Sequence, residues 1–149
     1  MRDYFIMFVI MFLSGILLSM NVWVDKYEDI RLGLNDVYMA LLMTGWMFFF
    51  IGIYYQDSTV GLSGLSLVLI MVWCIRTQFF IGMYQYNLGM IPHHSMAIFM
   101  SKKLLATKPP NEQYLLNMIY NQEKEIEYMK RLSGTQGYKE LIVIRNAQL

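Results

Sequence analysis

Charged residues are scarce in this chain: Asp, Glu, Lys and Arg make up 15% of its 149 residues, whereas 56% are hydrophobic. An ordinary soluble domain carries about 25% charged residues. The net charge is only +1, so the chain lacks the basic field that attracts nucleic acid, and we expect no nucleic-acid partner. The composition indicates a membrane protein.

Cysteine is almost absent as well, because Cys74 is the single one. One cysteine excludes an internal disulfide and a Cys-x-x-Cys metal site. The sequence also lacks a Ser–His–Asp, Cys–His or phosphate-loop pattern. We therefore expect a protein that is not an enzyme.

Three long apolar runs, residues 4–24, 37–55 and 60–82, predict three transmembrane helices, because about 20 apolar residues cross the hydrocarbon core. We interpret the first run as a retained span and not as a signal peptide, since no small-residue cleavage pattern follows it. Arg76 falls near the end of the third run, where its side chain can reach the interface. The spans contain no histidine and no central acid or lysine, which argues against a transporter.

Three spans place the first connection, residues 25–36, on the same side of the membrane as everything that follows residue 82. This connection carries four acidic and two basic residues, a net charge of −2. Arg2 favours an inside N-terminus, whereas Lys102 and Lys103 favour an inside C-terminus. The distribution of Lys and Arg therefore leaves the orientation open.

A helical hairpin is predicted for residues 89–133, after a membrane region of residues 1–88. Pro92 suits the first turn of a helix, which we expect to run to about Ala106. Pro109 and Pro110 then interrupt the chain, and a second helix is predicted from about Glu112 to Leu132. Residues 134–149 form a C-terminal tail containing a short apolar run.

The chain's two histidines, adjacent in the sequence, lie on different lines of the first hairpin helix. His93 shares a stripe with Met96, Met100 and Leu104 at spacings of three and four residues. His94 lies about 100° around the helix axis from this stripe. The apolar seam of the second helix is interrupted by two polar residues, which need partners when buried. Histidines of the facing helix are natural partners for them, namely for Gln122 and Glu125.

The hairpin sequence resembles the family labelled domain of unknown function three-hundred-and-five. The pattern is a Met-x-Pro-His-His opening, an alanine four residues after the first histidine, and Gln-x-x-Glu-Ile-x-x-Met in the second helix. The text YMALLM at Tyr38–Met43 also resembles the second span of some bacterial members, so the resemblance covers roughly residues 4–133. The matching hairpin positions are Met90, Pro92, His93, His94, Ala97, Gln122, Glu125, Ile126 and Met129.

The resemblance implies an all-α protein: three transmembrane helices followed by an antiparallel, ferritin-like half-bundle that tends to pair into a four-helix bundle. It also implies self-association through the hairpin, a slight preference for an extracytoplasmic hairpin, and copper handling, since some soluble members bind copper through Met and His. Phe99 departs from the family, whose members often carry Glu or a small residue there. The tail lies outside the resemblance.

Copper is the metal best suited to the hairpin, because thioether and imidazole ligands select Cu(I). A di-iron site lacks its Glu-x-x-His pairs, and zinc lacks a defined fourth ligand. If only one histidine of a chain binds metal, the methionine stripe favours His93. The candidate ligands are Met90, His93, His94, Met96, Met100 and Met129. The candidate second shell consists of Met118, Gln122 and Glu125.

A structural interpretation of the same residues is equally favoured. Nine of the 14 methionines precede residue 90, so methionine is abundant without any metal site. His93 and His94 would then pair with the polar residues of the second helix and specify the bundle. Two functions remain: copper handling at the membrane, or a non-catalytic structural protein that anchors a larger assembly, such as an envelope or virion shell, and binds partners through its tail.

Overall fold

The computed structural model describes residues 3–133, and this part of the chain is all-helical, with no strand. Its five α-helices are α1 (Tyr4–Leu17), α2 (Leu34–Tyr54), α3 (Ser58–Thr77), α4 (Met83–Leu105) and α5 (Glu112–Ser133). Two short 3₁₀ helices, Met20–Trp23 and Tyr27–Asp29, lie between α1 and α2. The chain folds as two compact units. Among the described residues, the first contains residues 3–19 and 33–82, and the second contains residues 20–32 and 83–133.

Within the described residues, three helical segments are long and apolar enough to cross a membrane: Tyr4–Trp23, Leu34–Tyr54 and Ser58–Thr77. The predicted spans are confirmed at this level. The third span ends five residues before the predicted position, because Gln78 caps α3 in the left-handed conformation, with φ 50° and ψ 44°. Arg76 is consequently the second-last residue of α3 and is exposed, as predicted for an interfacial arginine.

Close backbone contact joins α2 and α3 in the first unit. A Cβ placed on Gly52 would overlap the backbone N and Cα of Gly61, and one on Gly64 would overlap the backbone of Phe49. Small residues at helix crossings permit this approach in membrane proteins, where van der Waals packing supplies much of the association energy. Gly52 and Gly64 are therefore required by the packing of this helix pair.

Helix α1 packs on α2 at another glycine. A Cβ on Gly15 would lie 2.9 Å from the Cα of Ala40, and the rings of Phe8 and Phe48 meet edge to face at 6.2 Å. Gly15 therefore permits the close packing of α1 on α2. The rest of α1 is largely exposed within the chain, as expected for a helix with lipid around it.

The second unit combines the α4–α5 hairpin with residues 20–32, which we call the inter-span segment. This segment contains both 3₁₀ helices, and the first of them packs on α4. Trp23 lies edge to face with Phe99 of α4, at a ring separation of 6.4 Å. The first apolar run is thus not one continuous helix: α1 ends at Leu17, and the last turn of the run belongs to the second unit.

The start of the hairpin differs from the prediction, whereas its second helix does not. Helix α4 begins at Met83, so Pro92 lies inside the helix and not in its first turn. Proline deletes one backbone hydrogen bond there, but the Pro92 ring is fully buried and contributes apolar contact. Helix α5 confirms the predicted second helix to within one residue. The predicted tail, residues 134–149, lies outside the described residues.

Candidate functional site

His94 lies on the buried face of α4, whereas His93 lies on a different, exposed face. Ile91 and Ile98 are 1% and 2% exposed and form one core cluster with Ile126 and Met129 of α5. Met90 packs against this cluster from the side. The isoleucines determine which face of α4 is buried. Burying their branched apolar side chains contributes more stabilising free energy than burying the partly polar face with His93 and the methionines would.

The stripe of His93, Met96, Met100 and Leu104 consequently faces away from the core. His93 is exposed, Met96 is half-buried, and Met100 and Leu104 are 55% and 49% exposed. Met129 of α5, which is predicted as a further metal ligand, is 7% exposed in the hairpin core and does not lie on this stripe. The stripe is an accessible surface on which imidazole and thioether groups alternate with apolar carbon.

His94 faces α5 and lies next to Glu125. Its Nδ1 atom is 3.0 Å from Glu125 Oε2, and the side chains are 13% and 57% exposed. The pair has the separation of an ion pair but not the alignment of a hydrogen bond. Burial lowers the pKa of His94 below its usual 6.5, the charge of Glu125 opposes this, and His93 adds to the lowering. His94 is therefore neutral at pH 7.

The other polar positions of the predicted second shell are distributed along the α4–α5 contact. Met118 accepts a hydrogen bond from the Ser101 hydroxyl at 3.5 Å, which engages its thioether inside the hairpin. Gln122 is half-buried, and its Oε1 atom has no hydrogen-bond partner among the described residues. Of the two polar residues on the α5 seam, Glu125 contacts a histidine and Gln122 contributes a buried acceptor.

The predicted metal ligands do not gather at one place within the chain. His93, Met96 and Met100 lie on the exposed stripe, His94 lies at the α4–α5 contact, and Met129 lies in the core. Residues 3–133 contain no group of three or more His, Cys, Asp or Glu side chains that could hold a metal ion. A soft-ligand site on this protein would therefore use the exposed stripe.

A buried polar centre, which the sequence did not predict, lies between the inter-span segment and the hairpin. Asp29 is 2% exposed. Its Oδ2 accepts a 2.7 Å hydrogen bond from the Ser95 hydroxyl, and its Oδ1 is paired with the Lys130 ammonium of α5. The Ser95 hydroxyl oxygen in turn accepts a 2.9 Å hydrogen bond from the backbone N–H of Asp25. One carboxylate thus connects all three parts of the second unit.

Two lysines extend this centre to the surface. Lys102 of α4 lies 2.7 Å from Asp25 Oδ2 and 3.7 Å from Glu123 Oε1, and Lys130 lies 3.0 Å from Glu28 Oε1. Burial favours the uncharged form of Lys130, but its hydrogen bonds and charge interactions with Asp29 and Glu28 outweigh this and raise its pKa above the usual 10.5. Lys130 is fully charged at physiological pH.

Sequence reasoning missed Asp29, Ser95 and Lys130 for a physical reason. The excess negative charge of the first connection was visible, but charged connections are ordinarily solvated. The one available signal was topological: with three spans this connection shares a side with the hairpin, whose lysines could neutralise it. Only the fold shows which carboxylate is buried.

Comparison with known proteins finds a viral relative. The chain is 42% identical over 135 residues to "Uncharacterized protein L153" of Acanthamoeba polyphaga mimivirus, and the match covers 85% of this chain and 88% of the relative. No protein-family model matches the chain, and no solved structure does. At this identity and coverage, the chain belongs to the same family as the mimivirus protein.

Proposed function

We propose that this protein is a non-catalytic, multi-pass membrane protein whose hairpin unit associates with a second copy of itself as part of a larger membrane assembly. The observation that carries the proposal is the exposed stripe of α4, where Met100 and Leu104 are 55% and 49% exposed on the outside of a well-packed hairpin. Exposed apolar side chains in a row are typical of association surfaces.

The internal organisation of the second unit supports this role. Lys102 and Lys130 are paired with carboxylates of the inter-span segment, and the core of the unit consists of Ile91, Ile98, Ile126 and Met129. A folded unit of this kind presents its surface residues in defined positions, which lowers the entropy cost of association. The resemblance to ferritin-like hairpins suggests pairing of two hairpins into four helices.

The membrane arrangement belongs to the same proposal. The inter-span segment and the hairpin fold as one unit, so both lie on one side of a bilayer that the three candidate spans cross. The mimivirus relative makes a viral membrane or virion envelope the first setting in which to look for the assembly. The tail, residues 134–149, is a further candidate for binding protein partners.

The experiment compares two leucines of the hairpin with nearly equal exposure. Leu104 lies on the stripe and is 49% exposed, whereas Leu116 lies on α5 outside it and is 45% exposed. The mass of the detergent-solubilised protein is measured by light scattering over a concentration series. We expect Leu104→Lys to shift the dimer towards monomer about tenfold or more in dissociation constant, and Leu116→Lys to leave it nearly unchanged.

A monomeric wild type in both detergent and lipid nanodiscs would contradict the proposal. Equal effects of the two lysine variants would also contradict it, because the stripe would then have no special part in association.

Copper handling is the second candidate, and the stripe favours it as well. His93, Met96 and Met100 are spaced along one accessible face and have the imidazole and thioether groups that bind Cu(I). Two stripes facing each other would double the number of ligands, so we propose that any copper site lies between copies. Glu125, which lies beside His94, would then influence the basicity of the His94 imidazole.

A further inference from the structure

The chain passes between its two units three times, after Ser19, after Leu32 and after Gly82. A hairpin simply appended to the last span would need only the third passage. The other two bring the inter-span segment, residues 20–32, into the hairpin unit. The hairpin thus has a non-covalent contact with a segment whose two ends continue directly into α1 and α2.

The buried polar part of this contact centres on one carboxylate. Asp29 is 2% exposed and receives both the Ser95 hydroxyl, at 2.7 Å, and the Lys130 ammonium. The two contributing side chains come from α4 and α5, so both hairpin helices bind the same group of the segment. Glu28, the next acidic residue, pairs with Lys130 at 3.0 Å but is 68% exposed.

Burial of Asp29 makes partial detachment of the segment costly. An unpaired carboxylate in a low-dielectric environment is costly, and the cost disappears only when the pair is complete or when the whole segment has left. States in which Asp29 stays buried but has lost its contact with Lys130 are therefore disfavoured. The exposed pair of Glu28 and Lys130 carries little of this cooperativity, because water screens it.

We propose that the inter-span segment is a second anchor of the hairpin, which keeps α4 and α5 attached to the first two spans independently of the chain connection after α3, with Asp29 as the group that maintains the attachment. This inference rests on the contacts inside the second unit and does not depend on self-association or copper. It assigns a binding role to the connection between two spans.

The test separates the anchor from the covalent chain. A specific protease site is inserted after Gly82, where an added Cβ would meet no atom within 4 Å. The full-length protein is placed in phosphatidylcholine vesicles, cleaved and washed, and the fragment that begins at Met83 is quantified in the pellet and the supernatant. We expect the wild-type fragment to stay with the vesicles.

Asp29→Asn and Glu28→Gln are the matched variants, since each removes one carboxylate that faces Lys130. We expect Asp29→Asn to raise the released fraction about tenfold or more, and Glu28→Gln to change it by less than about threefold. Release of the wild-type fragment would overturn the proposal. Retention of the Asp29→Asn fragment, or equal release by both variants, would also overturn it.

A double variant keeps the test decisive if Asp29→Asn unfolds the hairpin before cleavage. Lys130→Met and Asp29→Asn together remove both charges of the pair, which leaves no buried unpaired charge. We expect the double variant to regain helicity by circular dichroism and to release less fragment than the sum of the two single variants. Additive release would show that the two side chains do not act as a pair, and would overturn the proposal.

Discussion

Lys130, near the end of α5, forms an ion pair with Asp29, which lies between the first two spans and is almost completely buried. The contact gives the acidic connection a structural role in addition to any effect on membrane orientation. It also explains why α5 carries a charged residue one position after buried Met129, since the Lys130 ammonium reaches the buried carboxylate.

Ser95→Ala is expected to destabilise the second unit by about 1–3 kcal/mol, because it removes the hydroxyl that bonds both Asp29 and the backbone of Asp25. Ser101→Ala is the control, since this second buried serine of α4 bonds only the thioether of Met118, and it should cost less than about 1 kcal/mol. Thermal unfolding of the full chain in one detergent, followed by circular dichroism, compares them. Equal costs would argue against a special role of Ser95.

Acidification is expected to destabilise the second unit through His94. Its pKa in the folded chain lies below 6.5, so the unfolded chain takes up the proton first as the pH falls. The stability present above pH 6.5 is therefore lost as the pH falls through the lower, folded pKa. Thermal midpoints at a series of pH values between 7.5 and 5 measure this loss.

His94→Gln should flatten that pH dependence, whereas His93→Gln should reduce it much less, since His93 is the smallest of the three influences on the pKa of His94. A His94→Gln variant with the full wild-type slope would assign the acid sensitivity to other groups.

Gly52→Ala is expected to disrupt the α2–α3 pair, because the added methyl group would overlap the Gly61 backbone. The same substitution on the facing helix, Gly61→Ala, should be tolerated, since its Cβ would lie 3.6 Å from Gly52 Cα, an ordinary contact. Overpacking typically costs about 1–3 kcal/mol, and backbone overlap places Gly52→Ala at the upper end. The temperature at which half of the protein remains soluble in detergent distinguishes the two variants, and similar values would contradict the packing.

Copper loading is expected to depend on the exposed stripe. His93→Ala with Met100→Leu should lower the Cu(I) content of the purified protein, whereas Met129→Leu, in the core, should not. Elemental analysis with a competing Cu(I) chelator provides the measurement. Equal, substoichiometric copper in wild type and in His93→Ala/His94→Ala would end the copper hypothesis.

Local signals predicted both the spans and α5. About 20 apolar residues cross a bilayer, and a helix is bounded where proline and glycine interrupt it. Pro92 misled the prediction for α4 by the same local reasoning. The helix continues through it, because the buried ring gains contacts that offset one lost hydrogen bond.

The residues alone indicated three helices long and apolar enough to cross a membrane, followed by a helical hairpin that carries two histidines. Tertiary structure decided which face of that hairpin is buried, since Ile91 and Ile98 turn His94 inward and leave His93 outside. It also decided that Asp29 meets Ser95 and Lys130. Contacts between segments far apart in sequence depend on how the whole chain packs, and no local pattern of residue types records them.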